Sequence, residues 1–125
     1  MYGQIITTPD IAKEYGDDLP EWVELATATD KYRQQILEMQ IDKGESSAIA
    51  LALEIPDCTV ILDDYKARKI AEKLGISLTS TIGVLVKAKL KGIIPSIKPL
   101  LEKIKKTDFR VSLEIELLAL KEANE

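Results

Sequence analysis

The chain predicts an α/β fold, one unit in which helices alternate with parallel strands and then a helical tail, and three observations point there. From Ala48 to Leu53 there is no polar residue, and a helix that is apolar all round has to be covered on most sides. Thr59 to Leu62 is β-branched and continuously apolar, the pattern of a central parallel strand covered on both faces. A helical stretch from Tyr65 to Leu74, with Gly75 as its cap, then continues the strand and helix alternation.

The remaining elements follow in order. Gln4 to Thr8 reads as a short strand, and Thr8-Pro9 supplies an N-cap and a proline at the first helical position, so residues 9–15 should form a short helix. Leu19 to Thr27 fits neither a helical nor a strand period well, and Trp22 within it is expected as a core or interface anchor. Asp30 to Gln40 has apolar positions at Tyr32, Ile36, Leu37 and Met39 and should be helical, ahead of a helix opening at Gly44. Ile76 to Leu78 should be extended. Thr81 to Leu90 places Ile82, Leu85, Val86 and Leu90 at helical spacing and closes at Gly92. Past Pro95, Ile97, Leu100, Leu101 and Ile104 outline another amphipathic helix, and Ser112 to Ala123 a last one with Glu114 and Glu116 in its first turn. No repeat or interdomain linker interrupts this order, so residues 1–125 read as one domain.

Composition narrows the chemistry. A hydrophobic fraction of 46% and a charged fraction of 30% in 125 residues describe an ordinary globular chain able to bury one core. The absence of histidine removes Ser-His and Cys-His nucleophile pairs, and the lone Cys58 excludes an internal disulfide and any Cys-rich metal site. Catalysis would rest on carboxylates, lysine, tyrosine or a bound metal. No membrane span or secretory signal pattern occurs, which makes a cytoplasmic location the expectation.

The carboxylates have a pattern of their own. Glu45 falls in the first turn of the Gly44 helix, where the positive end of the helix dipole favours it, and Asp63 and Asp64 follow the buried strand directly. In open parallel sheets ligands bind outside the carboxyl ends of the strands, and hard oxygen donors favour Mg²⁺ or Mn²⁺. A plainer reading makes Glu45 a helix-start charge and the Asp63-Asp64 pair a cap for the next helix. Residues 1–64 hold 14 acidic and 4 basic side chains, whereas residues 65–125 hold 7 and 13. That asymmetry suits a metal-bound phosphate substrate, and Lys87, Lys89, Lys91, Lys98 and the lysines of 103–106 could contact a phosphate backbone. Those lysines are equally well explained as exposed helix faces, since no aromatic residues interleave with them for stacking.

The run Asp42-Lys43-Gly44-Glu45-Ser46-Ser47-Ala48-Ile49-Ala50-Leu51-Ala52, then Leu62-Asp63-Asp64-Tyr65-Lys66-Ala67-Arg68, then Thr81-Ile82-Gly83-Val84-Leu85 with Ala88-Lys89 and Gly92-Ile93-Ile94-Pro95, resembles an uncharacterised prokaryotic branch of PIN-domain proteins. The resemblance implies a three-layer α/β/α sandwich with a central parallel sheet and an acidic cluster binding Mg²⁺ or Mn²⁺. It also implies a metal-dependent ribonuclease acting on single-stranded RNA, of the kind that serves as the toxin in toxin-antitoxin pairs. By position, Glu45, Asp63 and Asp64 match the family's metal-holding carboxylates, and Glu14 more loosely matches the glutamate ending its second short helix. Thr79 to Thr81 fall where a polar residue often completes the site. Arg68, in the Asp63-Asp64 motif, is a candidate phosphate contact or a local partner for a carboxylate.

The chain departs from the family at its start. PIN proteins begin with a central strand ending in an aspartate, whereas this chain starts near the family's second strand, and Asp10 already belongs to the later helix. A trimmed chain, a natural degeneration, or completion of the sheet by another subunit would each explain the difference. An exposed strand edge is a template for pairing, so a homo-oligomer is expected. The function expected is a PIN-like nucleic-acid-binding protein, either a ribonuclease with an incomplete acidic site or an inactive interaction module such as a toxin remnant docking an antitoxin.

Overall fold

The computed structural model describes residues 2–125, which form two compact units, 2–79 and 80–125. The first holds β1 (Ile5–Thr7), α1 (Pro9–Tyr15), β2 (Val23–Leu25), α2 (Lys31–Glu38), α3 (Lys43–Ala52), β3 (Val60–Ile61), α4 (Tyr65–Lys73) and β4 (Leu78–Thr79). β1 pairs in parallel with β2, Ile5 opposite Val23, and β3 pairs in parallel with β4, Val60 opposite Leu78. Each pair is a strand, helix, strand crossover, with α1 and α4 as the connecting helices. This is a small α/β fold with parallel sheets, as the patterning predicts.

The helices start where local chemistry starts them. The Thr8 hydroxyl accepts from the Ile11 amide and Pro9 follows it, so α1 begins at the first turn a proline tolerates. Asp30, Asp42 and Asp64 cap α2, α3 and α4 in the same way. Gly75, at φ +74°, closes α4 in the left-handed conformation that glycine takes without steric cost. α3 is the covered helix: Ile49, Ala50 and Leu51 are buried together with Leu37, Ile41, Leu62, Ala67 and Ala71. A buried polar tie fastens it to the Thr8 hydroxyl, 2.7 Å from the Ser47 hydroxyl, which itself donates to the Gly44 carbonyl. The Glu54 carboxylate accepts from the Thr29 and Asp30 amides and the Thr29 hydroxyl, and these bonds hold it below the usual carboxylate range.

Two expectations change. The segment around Val60 is not a central strand covered on both faces: β3 is two residues long, pairs only with β4 among the described residues, and leaves Ile61 53% exposed. Its apolar run reflects the covered positions Val60 and Leu62, and a continuous apolar stretch does not report how many neighbours a strand has. Trp22, expected as a core or interface anchor, is 68% exposed and so is not part of the core.

Residues 80–125 form α5 (Thr81–Leu90), α6 (Lys98–Lys105) and α7 (Leu113–Glu122) around Ile82, Val86, Ile97, Leu101, Ala119 and Ala123. Ser80 and Ser112 cap α5 and α7. Glu125 fastens this unit, accepting from the Ser96 hydroxyl and the Ile97 amide and pairing with Lys89 at 3.8 Å.

Candidate functional site

All four carboxylates singled out in the sequence line one cleft of about 230 Å³ in the 2–79 unit, together with Asp42. Glu14 arrives from the end of α1, Asp42 and Glu45 from the start of α3, and Asp63 and Asp64 from the exit of β3. Ile11, Ala48 and Ile61 supply apolar walls. A volume below the usual range for drug-sized ligands suits an ion with a phosphate oxygen better than a bulky metabolite. Asp42 is a site residue that the sequence reading missed. Its signal was the Asp42-x-x-Glu45 spacing, that of an N-cap and its third helical residue, and the Asp42 carboxylate does accept from the Glu45 amide at 2.9 Å.

The close approach of α1 to α3 depends on Gly44. A side-chain carbon there would meet Glu14 Oε1 at 2.6 Å and Oε2 at 2.8 Å, so the glycine is the seat of the Glu14 carboxylate. Asp64 carries a second duty, accepting from the Ala67 amide at 3.0 Å as the cap of α4. The capping role read from the sequence and a place in the cleft therefore coexist.

Electrostatics single out Glu45. Burial is the largest cause that pushes its carboxyl up to about 7, followed by a hydrogen bond with the Asp42 side chain and by the charges of Asp42, Asp64 and Glu14. A hydrogen bond between two carboxyl groups needs a proton on one of them. Glu45 Oε2 is buried without a hydrogen-bond partner. The cleft thus holds more negative charge than its own donors satisfy.

The other candidate residues are placed differently. Arg68 donates through Nη1 to the Leu62 carbonyl at 2.7 Å, tying α4 to the strand exit. Lys87 and Lys89 belong to the 80–125 unit, and Lys89 donates to the Ala123 carbonyl and pairs with Glu125. Thr79 pairs with Ile61 in the β3–β4 ladder, and Ser80 caps α5.

A PIN-domain family model matches residues 1–125. The chain belongs to the PIN-domain family. No curated protein and no solved structure gives a significant match. PIN domains are in general nuclease-like nucleic-acid-binding proteins that depend on divalent metal, and the donor set of this PIN domain fits such an ion. Its carboxylates are hard oxygen donors, and the orphaned Glu45 oxygen and the elevated Glu45 pKa mark where positive charge is wanted. Among the described residues no three acidic, histidine or cysteine side chains already stand as a ligand group. Mg²⁺ does not require one, because it keeps several waters and takes one or two carboxylates plus substrate phosphate oxygens. No helix among the described residues is long and apolar enough to cross a membrane.

Proposed function

We propose that this PIN domain is a metal-dependent endoribonuclease acting on single-stranded RNA, with the cleft of Glu14, Asp42, Glu45, Asp63 and Asp64 as its centre. The observation that carries the reading is the convergence of five carboxylates on one cleft, among them Glu45, whose buried oxygen lacks a partner. Glu45, Asp63 and Asp64 would hold Mg²⁺ or Mn²⁺, with Asp42 and Glu14 completing the negative field. When bound, the ion supplies orientation of a water and charge stabilisation at the scissile phosphate. This chain's own contribution is to seat Glu14 on Gly44, to keep Glu45 half-buried at the α3 start, and to hold the Asp63-Asp64 exit in place through Asp64 capping and the Arg68 bond to Leu62. With no histidine in the chain, proton transfer would fall to a carboxylate that does not hold the ion.

A toxin role with a protein antitoxin as partner, work in the cytoplasm and self-association are finer parts of the same proposal. Among the described residues each parallel ladder has two strands only, and their unpaired edges support association with another chain. An inactive binding module is the second reading, favoured by the absence of a ready three-residue ligand group among the described residues.

Thermal unfolding with increasing Mn²⁺, run on the wild type and on Glu45→Gln with Asp63→Asn, tests the centre. At a hundredfold excess over the dissociation constant the ion should stabilise the wild type by about 2.7 kcal/mol, roughly 10 °C for a domain of this size, and leave the double variant unmoved. Cleavage of a single-stranded RNA should follow the same pattern. An unmoved wild type would transfer the protein to the second reading.

A further inference from the structure

We infer that the outward face of α4 is a binding track for single-stranded nucleic acid, with Tyr65 as a base-stacking platform and Lys66, Lys69 and Lys73 as phosphate contacts. The inference rests on the proposed function and names where its substrate lies.

Helical spacing builds the track. Tyr65, Lys69 and Lys73 recur every four residues and so share one face of α4, with Lys66 beside them. All four are exposed, while Ala67 and Ala71, on the opposite side, are fully buried in the core. The stripe starts one residue beyond Asp64, which lines the carboxylate cleft, and runs about 12 Å along the helix away from it. Tyr65 is 74% exposed, a large apolar expense for a ring that stabilises no core. Its ring meets Lys69, whose ammonium stands 5.4 Å from the ring centre. A base stacked on that ring would bring its phosphate toward the same ammonium. The internal competitor for Lys69 is Glu72 at 3.9 Å, an exposed pair of little worth that a phosphate can displace.

Lys89 is occupied by the C-terminal residues of its own unit, whereas α4 carries three exposed cations within about two and a half turns of the cleft lining. A centre rich in carboxylates repels a polyanion, so the strand needs positive charge beside it to be held there. Aromatic stacking next to lysines is the usual composition of sites that accept single strands without reading their sequence.

The test is fluorescence anisotropy of a labelled single-stranded RNA in EDTA, which prevents cleavage. The proteins are the wild type, Lys66→Gln/Lys69→Gln/Lys73→Gln, Tyr65→Ala, Tyr65→Phe and Lys31→Gln, a surface lysine of α2. The triple variant should bind at least tenfold more weakly, with the salt slope reduced by about 2, since each phosphate contact on a single strand contributes ~0.7. Tyr65→Ala should lose roughly tenfold and Tyr65→Phe should keep wild-type affinity, because stacking needs the ring and not the hydroxyl. Wild-type binding by the triple variant would overturn the track, and so would a duplex bound as tightly as the single strand. If the wild type shows no RNA binding while Mn²⁺ still stabilises it through Glu45, the track fails and the metal centre stands.

Discussion

At the scale of single residues, Glu45 sets the pH behaviour of the metal-free protein. Its carboxyl is raised to about 7 in the folded state from the ordinary 4.5, so the folded state holds a proton that the unfolded chain has already released. Stability should therefore fall as pH rises from about 4.5 to about 7 and stay low above that. Glu45→Gln, which mimics the protonated form, should raise the melting temperature at pH 8 and change little at pH 5. A pH series of melting curves on both proteins checks it. Gly44→Ala separates site from fold at the same spot. The new methyl would push the flexible, exposed Glu14 carboxylate off its seat while raising helix propensity, so the melting temperature should hold and the Mn²⁺-induced shift should shrink. Calorimetry with and without Mn²⁺ reads both effects.

These residues also show what the sequence made legible. Glu45, Asp63 and Asp64 are visible as carboxylates at element ends and Glu14 only as a family match, and the structure brings all four to one cleft. Asp42 was hidden inside a capping motif that explains it completely without a site. Lys89 looked like a surface charge because nothing in its neighbourhood in sequence announces Glu125 or Ala123 as partners. Tyr65 gives no signal in the sequence, since only the register of α4 shows it on a face with Lys69 and Lys73.

At the scale of elements, caps and periodicity located every helix to within two residues, because Thr8, Ser112 and the glycines act locally. Strands were harder: β2 is three residues and too short to show a period, and β3 did not reveal its open edge. α7 offers a test of the proposed self-association. Leu117 and Leu118 are exposed, and Glu114 and Lys121 lie two turns apart on that same outward side. An antiparallel pair of α7 helices would set Leu117 of one against Leu118 of the other and each Glu114 against a Lys121. Glu114→Lys and Lys121→Glu should each weaken a dimer in sedimentation, and an equimolar mixture of the two should restore it, because both reversed contacts become complementary in the heterodimer.

At the scale of the whole molecule, two cores coexist, one around Ile49 and one around Ile97 and Leu101. The carboxylate cleft belongs wholly to residues 2–79. Added Mn²⁺ should therefore slow hydrogen exchange most in α3 and at the β3 exit and least in α6 and α7, a distribution that mass spectrometry of peptides can map. Truncating Leu101 to alanine should cost about 2–5 kcal/mol of stability in its own core. The acidic excess of residues 1–64 was legible as an uneven charge distribution, but the division into two units was not, since no linker marks it.

The short β3 carries one more implication. Val60 and Ile61 present an apolar strand with a side unpaired among the described residues, the arrangement that invites sheet-like stacking between copies, and Asp63 and Asp64 follow it after Leu62. Charges flanking such a segment act as gatekeepers against aggregation. Neutralising both aspartates to make a catalytically silent control would remove that guard as well, so loss of soluble protein in such a control would report colloidal failure and not a missing metal ligand.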